Sequence, residues 1–337
     1  MKIDFSYEKK PIDFISGYIY KGSGYKCNYI RFPTLYKTPA RGTETVELYN
    51  FQARKKSMAS VLILHGLGSS NVKFLLWMGN HLASSGIDAS ILILPGNYTR
   101  VDDNSTSGRG YVYPDINVMY NFWQHAVVDV MSTIDFLKEK EMWAENNCVL
   151  GYCLGGMVGT IVSSMRDDIG ELILMTAGGH LPKILYESPA TRSSRYIQQK
   201  RNLSFIEEKE RIYKIYEKQM PLVRNMSLTQ LIESEEIHPI FKVDPISYAH
   251  LVDSSKVTFF EAIFDRTIPI LGRKLLWEEL KKPKRYLLPI DHVSWLFFEY
   301  FLSVYIMNKL NIKGIKIKAR KNREKKERTI DDVLLGK

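Results

Sequence analysis

Cysteine is scarce in this chain: Cys27, Cys148 and Cys153 are the only three in 337 residues. Their odd number, with no Cys-x-x-Cys pair and no metal-ligand spacing, argues against a disulfide framework and against a zinc site. No metal or organic cofactor is expected. Also missing is any run of the ~18 apolar residues that a spanning helix needs. The most apolar stretch, residues 295–307, is interrupted by Glu299 and has the length of a core helix. The N-terminus, residues 1–14, carries charges and no apolar segment of the kind that begins an export signal. The expectation is a soluble, cytoplasmic protein in a reducing setting. At 45% hydrophobic residues the chain can bury a full core.

Acidic residues are outnumbered, and the formal net charge is +10. Most of that excess sits in one place. Lys313, Lys316, Lys318, Arg320, Lys321, Arg323, Lys325, Lys326 and Arg328 stand against Glu324 and Glu327, a net of +7 that leaves about +3 for the remainder. Like charges in a run repel and stay solvated, so residues 311–337 read as a basic tail. No aromatic residue interleaves with these charges, which removes a base-stacking platform, and no nucleic-acid partner is expected. Contact with an anionic surface is the alternative that the tail leaves open.

What the sequence does have is a series of short apolar runs ending in glycine. Residues 1–58 alternate apolar and polar in bursts, as at 26–32 and 45–51, and predict antiparallel strands leading into a sheet. From residue 60 the pattern changes to continuous apolar runs, the mark of strands covered on both faces. Ser-Val-Leu-Ile-Leu (60–64) ends in His65-Gly66-Leu67-Gly68, and a helix is expected over about 71–86. A second such strand, 89–94, exits into a Gly-, Asn- and Asp-rich loop over 96–116, of a length that is more often functional than idle. A helix over about 117–140 places Tyr120, Trp123, Val127, Val130, Ile134 and Leu137 on one stripe.

After strands at 148–152 and 171–176, residues 181–251 turn charged and helical, with capping-box signatures at Ser204-x-x-Glu207 and Ser227-x-x-Gln230. The rhythm then resumes with a strand at 257–264, a helix near 271–281, a strand at 285–288 and a last helix from His292 to about Leu310. This alternation predicts an α/β fold with a mostly parallel sheet covered on both faces. The expected organisation is N-terminal strands over 1–58, a core over 59–180 and 252–310, a helical lid over 181–251, and the tail over 311–337. Ligands of such sheets bind outside the carboxyl ends of the strands.

The stretch at 148–156, Cys-Val-Leu-Gly-Tyr-Cys-Leu-Gly-Gly, is a strand that turns sharply and passes into a small-residue helix. It has the form of a nucleophile elbow with sulfur in place of oxygen. Gly151, Gly155 and Gly156 supply the room such a strained turn requires. The helix start points its unpaired N–H groups at the Cys153 thiol and favours the thiolate. Cys27 and Cys148 instead read as inert buried hydrophobes.

A thiolate nucleophile needs a base, a carboxylate to orient that base, and two N–H donors for the oxyanion. Asp265 directly follows the strand ending near residue 264 and is the candidate acid. His292 follows the last strand and is the candidate base, with His180 as its rival. His81, His125, His238 and His250 read as structural, Asp291 as a loop residue or cap, and His65 as a holder of its own loop. The backbone N–H groups of Leu154 and Leu67 are the candidate oxyanion donors.

These motifs, His-Gly-Leu-Gly after a strand, Gly-Tyr-Cys-Leu-Gly-Gly, Phe-Asp-Arg-Thr-Ile-Pro and Asp-His before a last helix, resemble the α/β-hydrolases over residues 44–310. The cysteine elbow is similar to that of dienelactone hydrolases. The resemblance implies an eight-stranded, mostly parallel sheet, a lid after the sixth strand, and a triad of Cys153, Asp265 and His292. Two departures stand out: Asp291 occupies the position before the histidine where glycine is usual, and small dienelactone hydrolases lack so long a lid.

Sulfur also constrains the substrate, because a thiolate leaves a tetrahedral intermediate more readily than an alkoxide. Enol lactones, thioesters and aryl esters, with leaving groups that need little help, suit such a site. The expected activity is hydrolysis of a small-molecule ester, lactone or thioester through an acyl-thioester intermediate. Polyhydroxyalkanoate synthases also resemble the Gly-x-Cys-x-Gly-Gly elbow, so acyl transfer from a coenzyme A thioester is an alternative. A non-catalytic binding protein on the same scaffold is another. Oligomeric state leaves no trace in the sequence.

Overall fold

The computed structural model of the chain describes residues 2–68, 71–201 and 208–312. Nine strands form one sheet: β1 (Ile15–Lys21), β2 (Tyr25–Pro33), β3 (Thr45–Ala53), β4 (Ala59–Leu64), β5 (Ile87–Ile93), β6 (Asn147–Tyr152), β7 (Glu171–Met175), β8 (Val257–Ala262) and β9 (Lys284–Leu288). Their order is β1-β2-β3-β5-β4-β6-β7-β8-β9. β1, β2, β3 and β5 pair antiparallel in sequence, and from β5 through β4 to β9 every pairing is parallel. The continuous apolar runs are the central strands: β4, β6 and β8 are buried at every position. The edge strand β1, in contrast, is exposed along nearly its whole length.

Helices cover both faces because parallel neighbours need crossovers. The first is α1 (Lys73–Ser84), followed by α2 (Ile116–Glu139) and α3 (Leu154–Ser163). Five more occur between β7 and β8: α4 (Leu181–Glu187), α5 (Arg192–Arg201), α6 (Lys209–Val223), α7 (Leu228–Glu233) and α8 (Ile246–Ala249). The last two are α9 (Ile270–Glu279) and α10 (Glu299–Lys309). α1 packs against α10 and α2 against α3. The reversal of strand order between β5 and β4 puts these two pairs on opposite faces under right-handed crossovers.

Several boundaries differ from the expectations for physical reasons. The sheet has nine strands where the resemblance implied eight, because β1 adds an antiparallel edge. The helical segment after β7 therefore follows the seventh strand in chain order, and the sixth when β1 is left out. α2 is buried around far more than one stripe: Tyr120, Trp123, Val127, Val130, Ile134 and Leu137 are buried, but so are Val128, Asp129 and Phe136. The N-terminal segment covers its outer side, with Tyr7 Oη donating to Asp135 at 2.7 Å and Phe14 edge-on to Phe136 at 5.2 Å.

No single helix runs from residue 292 to 310. Asp291 Oδ1 accepts the N–H groups of Val293 and Ser294 and starts a short 3-10 turn, Ser294–Phe298, ahead of α10. The capping box of Ser227 and Gln230 opens α7. The one expected at Ser204 and Glu207, and the basic residues 313–328, lie outside the described residues. No helix among the described residues is long and apolar enough to cross a membrane.

Candidate active site

Cys153 stands between β6 and α3 with φ 50° and ψ −112°, a conformation that costs a non-glycine residue energy and persists only where its surroundings enforce it. Here the enforcement is close packing without side chains. A Cβ at Gly151 would lie 2.5 Å from the Gly155 carbonyl oxygen, and one at Gly155 would collide with the backbone of Leu64. The turn is then pinned by hydrogen bonds, Cys153 N–H to Met175 O at 3.0 Å and Gly155 N–H to His65 O at 3.0 Å. Leu154 is the first residue of α3, and its N–H belongs to the group that a helix start leaves without an intrahelical acceptor.

The ends of β8 and β9 bring the other two candidates together. Asp265 Oδ2 lies 2.8 Å from His292 Nδ1, while Asp265 Oδ1 accepts the N–H groups of Thr267 at 2.7 Å and Ile268 at 3.0 Å. Both oxygens are thus engaged, and the carboxylate cannot rotate away from the imidazole. Tyr152 Oη donates to the His292 carbonyl at 3.2 Å and ties this loop to the elbow. Burial alone would lower the pKa of His292. The electrostatic influence of Cys153 and hydrogen bonds to Asp265 and Cys153 outweigh it and carry His292 up to about 10. One imidazole nitrogen thus faces the carboxylate, and the ring shares the cavity wall with the sulfur.

His65 occupies a different role. The Leu94 N–H donates to His65 Nε2 at 2.9 Å, so that nitrogen bears no proton. Burial pushes the ring down to about 4 and keeps it neutral, which puts the proton on Nδ1, 2.8 Å from the Gly66 carbonyl. With the Gly66 carbonyl held by the ring, planarity of the trans peptide turns the Leu67 N–H away from it. The loop is further fixed by the Gly68 N–H donating to Asn97 Oδ1 at 2.9 Å.

The remaining histidines lie elsewhere. His180 caps α4, stacks on Tyr216 at 4.3 Å and is pushed down to about 4 by burial, away from the cysteine. His81 bonds Glu299, His125 bonds Thr34 and Asp129, His238 caps a 3-10 turn, and His250 bonds the Met226 carbonyl. Asp291 is exposed and serves its own turn.

A cavity of about 160 Å³ opens beside Cys153. Its walls include Leu67 and His292, Tyr111 and Val112 from the loop before α2, Trp123 from α2, Met157 from α3, and Leu181, Ile184 and Thr191 from the helical segment after β7. Apart from Leu67, His292 and Trp123, sequence reasoning did not single out these wall residues, which carry no motif. The two signals available were the length of the 96–116 loop and the change of composition at residue 181. The start of α4 is anchored by Asp244, whose buried carboxylate accepts from the N–H groups of His180, Leu181 and Ile246 and from Tyr216 Oη. Burial still drives that carboxyl up to about 6 against these donors.

This mostly parallel sheet with helices on both faces matches α/β-hydrolase structures. Solved structures agree. The fold is similar to an acetyl xylan esterase from Paenibacillus sp. R4, at 15% identity over 89% of each chain with a TM-score of 0.58. It is also similar to acetyl xylan esterase 1 from Thermoanaerobacterium sp., at 13% identity over 89% of each chain with a TM-score of 0.56. A cold-adapted esterase from an Arctic intertidal metagenomic library matches at 14% identity, over 91% of this chain and 99% of its own, with a TM-score of 0.55. Identities this low speak for the shared fold. No protein-family model matches the sequence, and no curated protein matches it significantly.

Proposed function

We propose that the chain hydrolyses carboxylic esters or thioesters through a covalent acyl intermediate on Cys153, with His292 as proton carrier and Asp265 as its orienting partner. The observation that carries this reading is the strained Cys153 at a helix start, in contact with an imidazole whose other nitrogen is 2.8 Å from a buried carboxylate. The esterase titles of the structural neighbours agree in kind.

In the proposed cycle the Cys153 thiolate attacks the carbonyl carbon, and the oxyanion is received by the N–H groups of Leu67 and Leu154. The His292 cation gives its proton to the departing oxygen or sulfur as the carbon–heteroatom bond breaks, leaving an acyl thioester and a neutral imidazole. Acylation removes the sulfur's negative charge, the largest influence holding the His292 proton. The ring is then free to take a proton from water, whose oxygen attacks the thioester. Collapse expels the thiolate and the acid, the acid loses its proton to solvent, and the thiolate–imidazolium pair is restored. Asp265 keeps its charge throughout and stabilises the cation.

Burst kinetics with a chromogenic aryl ester test this reading. Wild type releases one equivalent of phenolate per Cys153 before steady turnover wherever deacylation is the slower step. Cys153→Ala shows neither burst nor turnover above the uncatalysed rate. Unchanged turnover in Cys153→Ala contradicts the reading.

A further inference from the structure

The wall of the cavity beside Cys153 restricts what the sulfur can hold. On the reading that Cys153 becomes acylated, we infer that its acyl group is short and uncharged: a straight aliphatic chain of up to about six carbons or a single benzoyl ring.

Size gives the first limit. The space is about 160 Å³, close to the ~150 Å³ of an engineered apolar cavity that binds one benzene ring. An acyl chain longer than this must displace wall residues that are close-packed, and packed interiors resist even one extra methylene.

Wall chemistry gives the second. Among the described residues lining the cavity, the titratable side chains are those of His292, Cys153, Tyr111 and Tyr152. The polar tips of Tyr111, Trp123, Tyr152, Thr191 and Ser188 are turned to protein partners. Tyr111 Oη donates to Pro95 O at 2.9 Å, Trp123 Nε1 to Tyr111 O at 3.1 Å, Tyr152 Oη to His292 O at 3.2 Å and Thr191 Oγ1 to Ile184 O at 2.8 Å. Ser188 Oγ accepts the Ala190 N–H at 3.1 Å. No lysine or arginine lines the space, and His292 is already paired with Asp265, so a second carboxylate on the acyl group would be buried without a counter-charge of its own.

Burial gives the direction. Tyr111, Trp123, Leu154, Met157, Leu181, Ile184 and Ile268 are buried and form the inner wall, whereas Val293 and Ala190 are exposed and Leu67 and Thr267 half-buried at the rim. The leaving group must depart before water attacks, and the rim is where it can leave. The acyl group, which stays on sulfur, takes the inner space. Two of the inner residues, Leu181 and Ile184, belong to α4, so the inserted helices set the chamber's length.

The test is a series of aryl esters with one leaving group and acyl chains of two to ten carbons, together with benzoyl, pentanoyl and hemisuccinyl esters. We expect kcat/KM to be highest at four to six carbons or benzoyl, and to fall ~10-fold or more by eight carbons. Hemisuccinyl, near pentanoyl in size but charged, should be at least about 10²-fold slower than pentanoyl. Met157→Ala lengthens the chamber and should raise the octanoyl-to-hexanoyl ratio about 10-fold. Ile184→Ala makes the same test from the opposite wall if Met157→Ala does not fold. Equal rates from butyryl to decanoyl, a preference for hemisuccinyl, or an unchanged chain-length profile in both variants would overturn the chamber assignment. In those cases intact mass still shows an acyl adduct on Cys153; if no ester in the series produces one, the acyl-enzyme reading itself fails.

Discussion

Two buried histidine–aspartate pairs lie among the described residues, and one of them, His292 with Asp265, has its histidine in the wall of a cavity. His125 Nε2 is 3.2 Å from Asp129 Oδ2, and His292 Nδ1 is 2.8 Å from Asp265 Oδ2. The pairs differ in what surrounds them. Asp129 also binds Arg100 at 2.7 Å and Thr34, and His125 bonds Thr34 and stacks on Tyr36 at 4.8 Å. Burial would raise the Asp129 carboxyl, but the charges of His125 and Arg100 hold it down at about 2. That network links the N-terminal region, the 96–116 loop and α2, with Asp129 facing both Arg100 and His125. Asp265 has backbone N–H donors where Asp129 has an arginine, and His292 meets a sulfur at the wall of a cavity. A histidine beside an aspartate is therefore not a signature of chemistry in itself. The third partner and the open side make the difference.

That contrast is easiest to break at its reactive end. Cys153→Ala and His292→Ala should each lower kcat by about 10⁴-fold or more, as happens when one member of a covalent machinery is removed, while far-ultraviolet circular dichroism stays that of wild type. A smaller loss in either would place the chemistry elsewhere. Asp265→Asn should lower kcat by about 10³–10⁴-fold, because an amide cannot hold the imidazole cation in the same way.

Asp129→Asn is the mirror experiment. It leaves Arg100 buried without its counter-charge, and breaking such a pair costs about 3–5 kcal/mol. Denaturant unfolding should show that loss with kcat changed only a few-fold.

The pH dependence sharpens the comparison further. His292 is raised from 6.5 to about 10, so its interactions stabilise the fold fully below pH 6.5, and that contribution is lost as pH rises through about 10. Cys153→Ala removes the largest of the raising causes. The His292 titration, followed by nuclear magnetic resonance, should then move to lower pH, and the alkaline loss of stability should begin earlier. An unmoved titration would separate His292 from the sulfur. The smallest effect is expected at His65, whose ring only holds the Gly66 carbonyl: His65→Gln should cost roughly 10-fold in kcat with little change in KM, since one oxyanion donor loses its aim.

The sequence revealed the parts of this architecture that are written in local rules. Continuous apolar runs mark β4, β6 and β8 because both faces are covered, and the elbow is legible because only glycines fit around Cys153. Asp265 and His292 were readable as the first acid and the histidine after the last two strands. The extent of burial on α2 was not, because it depends on the N-terminal segment folding back through Tyr7 and Phe14 over more than a hundred residues of separation. The chamber wall was equally hidden. Leu181 and Ile184 face inward because Asp244, a single acid outside any motif, gathers the amides that begin α4. Long-range hydrogen bonds of this kind leave no periodicity to read.

Trapping an acyl group on Cys153 tests the proposed chemistry most directly. Wild-type protein mixed with a butyryl or benzoyl aryl ester and quenched in acid within milliseconds should gain the mass of one acyl group. Peptide mapping should place that mass on the segment containing Cys153, and the adduct should be missing from Cys153→Ala. An acyl group mapped to any other residue, or one that forms equally well in Cys153→Ala, would contradict the account.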